Sequence, residues 1–491
     1  MKSLYLLIHS LSRKEITIVR NTLQYLYSRP HFAGSNTIDL FEILLRRKKL
    51  PNADLISSRF FNKPYDNALE KLCSRLRNKI LDILISEANI ENHPFEQLDF
   101  FAIKIRKKLV QFYQLLFTKG NGDPTAHSLL SEIITLSKKY ESYSPLIEAL
   151  RASKYFKGFI NGVMEHKKVD EQIIHYEYCS HRVNKAIDFY YKLITNEEYQ
   201  GSVNKNHTQL YLKNAIKELK GDYIKTQSAI INYYLNILQL FYFINEANYN
   251  KSLKICNELF DILNENKSVY RINRKAFVFG NLAQCDIYLG NFSSAIDNAQ
   301  NAQKLISQKS INFFISKEVE FHALFYDKRT KESKILIEEI IQKNDNGSDE
   351  FRLAKYQFFY ANVFFQHGNY KKALNILNKN TELSKDKPGW DISLRILKIM
   401  CMIELEQHDQ VLLQIESLRK HIKRHSLLET GKRNAVILKI LNALERKEFD
   451  FKNPLIREKV NLLAGDDKRY CWEYMTPELI PFHEWFLSKV K

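Results

Sequence analysis

Apolar residues recur at three- and four-residue steps through most of this chain, and that spacing predicts helices. Leu69, Leu72, Leu76, Ile80 and Leu84 form one such stripe, in a helix expected from Tyr65 to Ala88 that must bury it. Ahead of it, Ser12-Arg13-Lys14-Glu15 reads as a capping box opening a helix to about Tyr27. A break at Arg29-Pro30 to Ser35 precedes a second helix, Asp39 to Lys49. Its terminal Arg46, Arg47, Lys48 and Lys49 suit the negative end of a helix dipole. The polar stretch Asn89 to Pro94 marks a boundary, and long helices follow from Phe95 to about Leu219. There Asp123-Pro124 and Ser144-Pro145 each place an N-cap before a first-turn proline, and Asp170 to Tyr199 reads as one long helix.

From about Thr226 the pattern repeats. The cleanest copy, Ala276 to Ala302, carries Ala283, then Gly290-Asn291-Phe292, then Ala295 and Ala299. A second, Ala354 to Asn380, carries Ala361, Gly368-Asn369-Tyr370, Ala373 and Leu377. Where two helices cross closely only small side chains fit, and glycine relieves the tight turn between them. Weaker copies fit the same frame: Asn248-Tyr249 with Ser252, Ser333 in its own copy, and His408-Asp409 with Leu412. These units resemble the tetratricopeptide (TPR) helix-turn-helix repeat over residues 226–425, with HEAT-type hairpins as the alternative for the weak copies. Turns about 38 to 43 residues apart exceed the usual period of about 34. The resemblance implies an all-α fold, a right-handed superhelix of antiparallel helix pairs preceded by an N-terminal helical domain.

The domains expected are 1–92, N-terminal, helical and similar to a winged helix; 93–225, long helices leading into the solenoid; 226–450, the repeats; and 451–491, an aromatic-rich cap. Residues 465–491 include Tyr470, Trp472, Tyr474, Phe482, Trp485 and Phe486. They suit closure of the apolar face that a solenoid's last repeat leaves open, with a ligand-stacking platform as the alternative.

Composition agrees with helices: 14 Gly and 10 Pro in 491 residues are too few for the turns of an all-β fold. The formal net charge of +18 attracts polyanions, but its spread along the chain also fits a Lys-rich solvated surface. Six cysteines, Cys73, Cys179, Cys256, Cys285, Cys401 and Cys471, lie far apart with no Cys-x-x-Cys, as expected of reduced thiols in a cytoplasmic protein. The apolar run Leu4 to Ile8 is too short for a signal peptide. Ile230 to Ile244, interrupted by Asn232, Asn236 and Gln239, is too short and too polar to span a membrane.

Catalytic signatures are missing. Lys119-Gly120-Asn121-Gly122 has neither the order nor the context of a phosphate loop, and His483-Glu484 lacks the second histidine of a zinc-protease motif. His175, Cys179 and His181 could approach one another on a helix, but tetrahedral zinc wants four ligands, and no metal or cofactor is expected. Glu338-Glu339, Asp349-Glu350 and Asp466-Asp467 point apart on a helix and make poor acid–base pairs. The TPR resemblance instead implies a concave groove lined by the first helix of each pair. Carried over residue by residue, its lining is Phe277, Gln284 and Ile287; Lys355, Phe358, Asn362 and Phe365; and, in the weaker copies, Tyr234, Ile237, Phe241, Glu318 and His322. Many of these rings equally suit core positions. The function expected is a non-catalytic scaffold or adaptor holding a peptide or protein. The alternative is a transcriptional regulator whose N-terminal unit binds DNA through Arg46, Arg47, Lys48, Lys49, Lys71, Arg75, Arg77 and Lys79, with the repeats as sensor.

Overall fold

The capping box forms as expected. Ser12 N–H donates to the Glu15 carboxylate at 2.7 Å and Glu15 N–H to the Ser12 hydroxyl at 3.3 Å. They open α2 (Arg13–Tyr27), which follows α1 (Lys2–Ser10) and precedes α3 (Ser35–Arg46), α4 (Ala53–Phe61) and α5 (Asn67–Glu87). This computed structural model describes residues 1–27, 35–64, 67–87, 97–195, 205–344, 349–380, 382–386, 389–424 and 432–490. The breaks expected at 29–34 and 89–94 lie outside the described residues. Leu69, Leu72, Leu76 and Ile80 of α5 bury against Leu4, Ile8, Val19, Leu23 and Phe41 from α1, α2 and α3. The stripe is thus the core of the N-terminal helices. Helix α3 stops at Arg46, so Arg47, Lys48 and Lys49 lie beyond its last turn rather than in it.

Next come α6 (Gln97–Lys119), α7 (Pro124–Lys139) and α8 (Tyr143–Thr195). Asp123 caps α7 by accepting from Ala126 N–H at 2.9 Å. Ser144 does not cap α8, because that helix already begins at Tyr143. Proline is tolerated anywhere in a first turn, where its missing N–H would be unpaired anyway. Helix α8 also starts well before Asp170 and is broken at Gly162, whose φ of 77° is left-handed. The chain divides into two compact units, Met1–Glu177 and Tyr178–Lys491.

In the second unit α9 (Lys205–Thr226) leads into helix pairs. These are α10 (Ala229–Asn245) with α11 (Tyr249–Glu265), α12 (Ile272–Tyr288) with α13 (Phe292–Leu305), and α14 (Ile311–Tyr326) with α15 (Thr330–Asn344). Then follow α16 (Glu350–Gln366) with α17 (Tyr370–Lys379), α18 (Trp390–Glu404) with α19 (His408–Arg424), and α20 (Lys432–Arg446) with α21 (Pro454–Ala464). Each helix packs on the next, and first helices also meet one another, α12 on α14 and α16 on α18. One turn geometry recurs. Ala247, Gly290, Lys328, Gly368 and Glu406 all have φ between 53° and 77°. The residue after each donates back into the preceding helix: Asn248 to Phe243 O, Asn291 to Asp286 O, Arg329 to Leu324 O, Asn369 to Phe364 O and Gln407 to Met402 O, at 2.8–3.0 Å. That is the hydrogen bond of a Schellman C-cap. Phe449 donates to Leu444 O at 2.8 Å in the same way between α20 and α21.

Small side chains close the first four crossings. Ala283, Ala361, Ser252, Ala295, Ser333 and Ala373 all have no exposed surface. In the last of the expected copies the buried position is Val411, while Leu412 is 38% exposed, a register one residue from that expected. The fold is therefore an all-α, TPR-like array of antiparallel helix pairs.

Candidate functional site

Because every first helix ends in the same turn, residues at equal distance from their turns share a face. Phe241, Gln284, His322 and Asn362 form one such row; Tyr234, Phe277 and Lys355 form another. The structure treats them unequally. Tyr234, Ile237, Ile287, His322, Phe358, Asn362 and Phe365 are buried between helices, leaving little surface for a ligand. Phe241, Phe277, Gln284, Glu318 and Lys355 remain half-buried. Phe241 and Phe277 bring their ring centroids to 6.4 Å across α10 and α12, and Gln284 follows on α12.

Further along, polar groups are already occupied. Glu318 accepts from Lys355 at 2.7 Å and from the Tyr356 hydroxyl at 2.8 Å, joining α14 to α16. Asn362 donates to Phe358 O at 2.8 Å. Lys355 and Asn362 therefore do not stand ready as a clamp for a peptide carboxylate. His322 sits against Tyr326 and Phe359, and its Nδ1 has no hydrogen-bond partner. Burial first, then the Lys355 charge, lowers its pKa to about 3, so the ring is neutral. Sequence reasoning missed Arg274. Its guanidinium lies 4.4 Å from the Tyr233 ring centroid and donates to the Tyr234 hydroxyl at 3.3 Å, beside Phe277 in α12. The turn alignment could have found it; the carried-over positions did not include it.

The C-terminal residues, expected to close the last repeat, reach further back. Phe482, Trp485 and Phe486 of α22 (Phe482–Ser488) are buried in the core of the repeats, and the Trp485 indole N–H donates to Glu404 at 2.6 Å. Arg433 organises the segment before α22. It donates to Tyr470 O at 2.6 Å and to both Glu478 carboxylate oxygens at 2.7 Å, so one guanidinium holds both ends of the loop Cys471–Pro477. The tip of that loop reaches α14. Met475 N–H donates to the Tyr326 hydroxyl at 3.1 Å, and Trp472 and Tyr474 set their rings 5.6 and 4.9 Å from that of Tyr326. A cavity of about 550 Å³ opens between this loop, α22 and the ends of α14, α16 and α18.

Chemistry for catalysis is not assembled by the candidates. Burial pushes the Cys285 and Cys401 thiols up to about 12, far from the thiolate form. Glu338 accepts from Tyr360, Glu339 from Lys343, and Asp349 caps α16, while Arg469 holds Asp467 down at about 2. Among the described residues no group of three His, Cys, Asp or Glu side chains is placed to hold a metal ion. No described helix is long and apolar enough to cross a membrane. In the N-terminal unit Arg46, Arg47, Lys48, Lys49, Lys71, Arg75 and Arg77 are exposed and Lys79 is half-exposed. Arg46 lies 3.8 Å from Glu42.

Helix pairs with Schellman turns, small residues at their crossings and a partly open first-helix face define the class: a TPR-like helical-repeat protein. Solved structures with similar folds include the apo form of RapI (14% identity, TM-score 0.44, covering 73% of this chain and 86% of that one). A Rap protein complexed with competence and sporulation factor is 12% identical, TM-score 0.42, covering 74% and 87%. A STAND protein with a tetratricopeptide repeat sensor, from Pyrococcus horikoshii, is 12% identical, TM-score 0.40, covering 90% and 66%. No family model matches the chain. No curated protein matches it. Identities and scores this low leave function to be read from the chain itself.

Proposed function

We propose that this chain is a non-catalytic cytoplasmic scaffold that holds a peptide or protein on the first-helix face of its repeats, at Phe241, Phe277 and Gln284. Half-open rings beside one amide carry this reading: rings supply contact area and the amide sets register. Glu318 and Lys355, already paired, border the site and shape it. In this proposal 1–92 and 93–225 are separate helical parts ahead of the repeats. The test is selection of binding peptides on the full chain, followed by titration against Phe277→Ser and Gln284→Ala variants that keep native helicity. Affinity should fall by about tenfold or more, since truncating a central hot-spot contact costs about 2 kcal/mol or more. Binders indifferent to both variants would refute the site.

One observation favours DNA as a second partner. Lys71, Arg75 and Arg77 lie exposed on α5, and among the described residues none of them forms an ion pair. Filter binding of the full chain to duplex DNA at several salt concentrations tests it. Affinity should fall with a log–log slope of about −0.9 per phosphate neutralised. No binding at low salt removes this reading.

A further inference from the structure

The loop Cys471–Pro477 is built as a separate tongue. Its ends are held together by Arg433, and the Trp472 indole N–H donates across its neck to Glu478 O at 2.7 Å. Such a loop, closed at the base and packed by its own side chains, can move as one piece. The anchors beyond it are firm, with Phe482 and Phe486 fully buried. The tip is held more lightly. Glu473 is exposed, Trp472, Tyr474 and Met475 are only half-buried, and Met475 takes a left-handed φ of 59°, which strains a residue with a side chain.

The tip rests on Phe292 and Tyr326, two of four rings set along the turns of the repeats. Tyr249 stacks on Tyr288 at 4.2 Å with planes 2° apart. Phe292 lies 6.2 Å from Tyr326 and 5.6 Å from Tyr474 of the tongue. All four rings of the repeats are half-buried, and the 550 Å³ cavity lies beside the place where the tongue touches Tyr326. The row continues the first-helix face toward the turns, with Tyr288 one helical turn beyond Gln284, while Phe277 lies eleven residues before Tyr288 on α12.

We propose that this turn-edge row is a docking surface for a peptide carrying two aromatic side chains around a carboxylate, and that Trp472-Glu473-Tyr474 is its resident stand-in. The tongue itself shows the chemistry that fits: a ring against Tyr326 and Phe292, with an acidic side chain left toward solvent. An incoming segment of that kind competes with the tongue, so its apparent affinity is reduced by the fraction of chains in which the tongue is seated.

The probe is a fluorescent peptide of residues 468–478 bearing Cys471→Ser, titrated by polarisation against the full chain. Wild type should bind it weakly. Tyr474→Ser, which loosens the tongue, should bind about tenfold more tightly. Adding Tyr326→Ser should abolish that gain, and Phe277→Ser should leave it intact. A folded Tyr474→Ser protein that binds no better than wild type overturns the proposal. So does a double variant that binds as well as the single one, or a scrambled peptide that binds equally. Hydrogen exchange on wild type gives a check that needs no variant. The Met475 amide should exchange at least about tenfold faster than amides in the middle of α16, because the tongue lifts without unfolding the repeats. Exchange as slow as that of α16 would show a tongue that never lifts, and would end the proposal.

Discussion

Ala247, Lys328 and Glu406 stand in the left-handed turn conformation that Gly290 and Gly368 adopt at equivalent places. A side chain there costs about 1 kcal/mol, whereas glycine takes it freely. Lys328→Gly and Glu406→Gly should therefore raise stability by up to about 1 kcal/mol, read from urea midpoints. Gly368→Ala should lower it by a similar amount, and through the backbone alone, since a Cβ there meets no atom within 4 Å. His322 gives a residue-scale prediction in pH. The folded ring stays neutral down to about pH 3, while in the unfolded chain it takes up a proton near pH 6.5. Below pH 6.5 the unfolded state thus binds more protons, and stability falls as pH falls, by at most about 1.4 kcal/mol per pH unit from this group. His322→Phe should flatten the fall in melting temperature between pH 6.5 and 5. An unchanged profile would mean that His322 is protonated in the folded chain.

At the scale of elements, the sequence showed helix pairs most clearly where both turn and crossing carry small residues. Gly290 with Ala283 and Ala295, and Gly368 with Ala361 and Ala373, set two pairs in frame, and Ser252 and Ser333 extended it. Where the small residue gives way to Val411 the register was read one residue off, because a valine at a crossing looks like any core position. Ser144 misled for a related reason: a proline signals a first turn without saying which residue opens it. Ala361, with no exposed surface, leaves no room for growth. Ala361→Leu should cost about 1–3 kcal/mol in thermal unfolding, and an unchanged midpoint would contradict this packing. Arg433 is a different kind of joint. Losing it leaves Glu478, with 12% of its side chain exposed, facing no cation, so Arg433→Gln should cost about 3 kcal/mol in chemical unfolding.

At the scale of the whole molecule, periodicity located the face of each first helix but not how deeply its neighbours cover it. Tyr234, Phe358 and Phe365 fall on the expected face yet are closed over by adjoining helices, while Phe241 and Phe277 stay half-open. The return of the C-terminus to α14 was equally illegible. Met475 and Tyr326 are 149 residues apart, and such a contact leaves no local pattern. Charge adds a further question at this scale. A net +18 borne mainly as solvated surface predicts weak, salt-sensitive attraction to polyanions in general, without preference for a DNA sequence.

The central claim is that the first-helix face around Gln284 holds a partner. A photo-crosslinking amino acid placed at Gln284 reads this directly, against the same residue at Lys254, exposed on the second helix of its pair. Irradiation in cell extract followed by peptide mapping should give a discrete adduct from position 284 that is absent from position 254 and suppressed by Phe277→Ser. No adduct at 284, or the same adducts from both positions, would contradict the account.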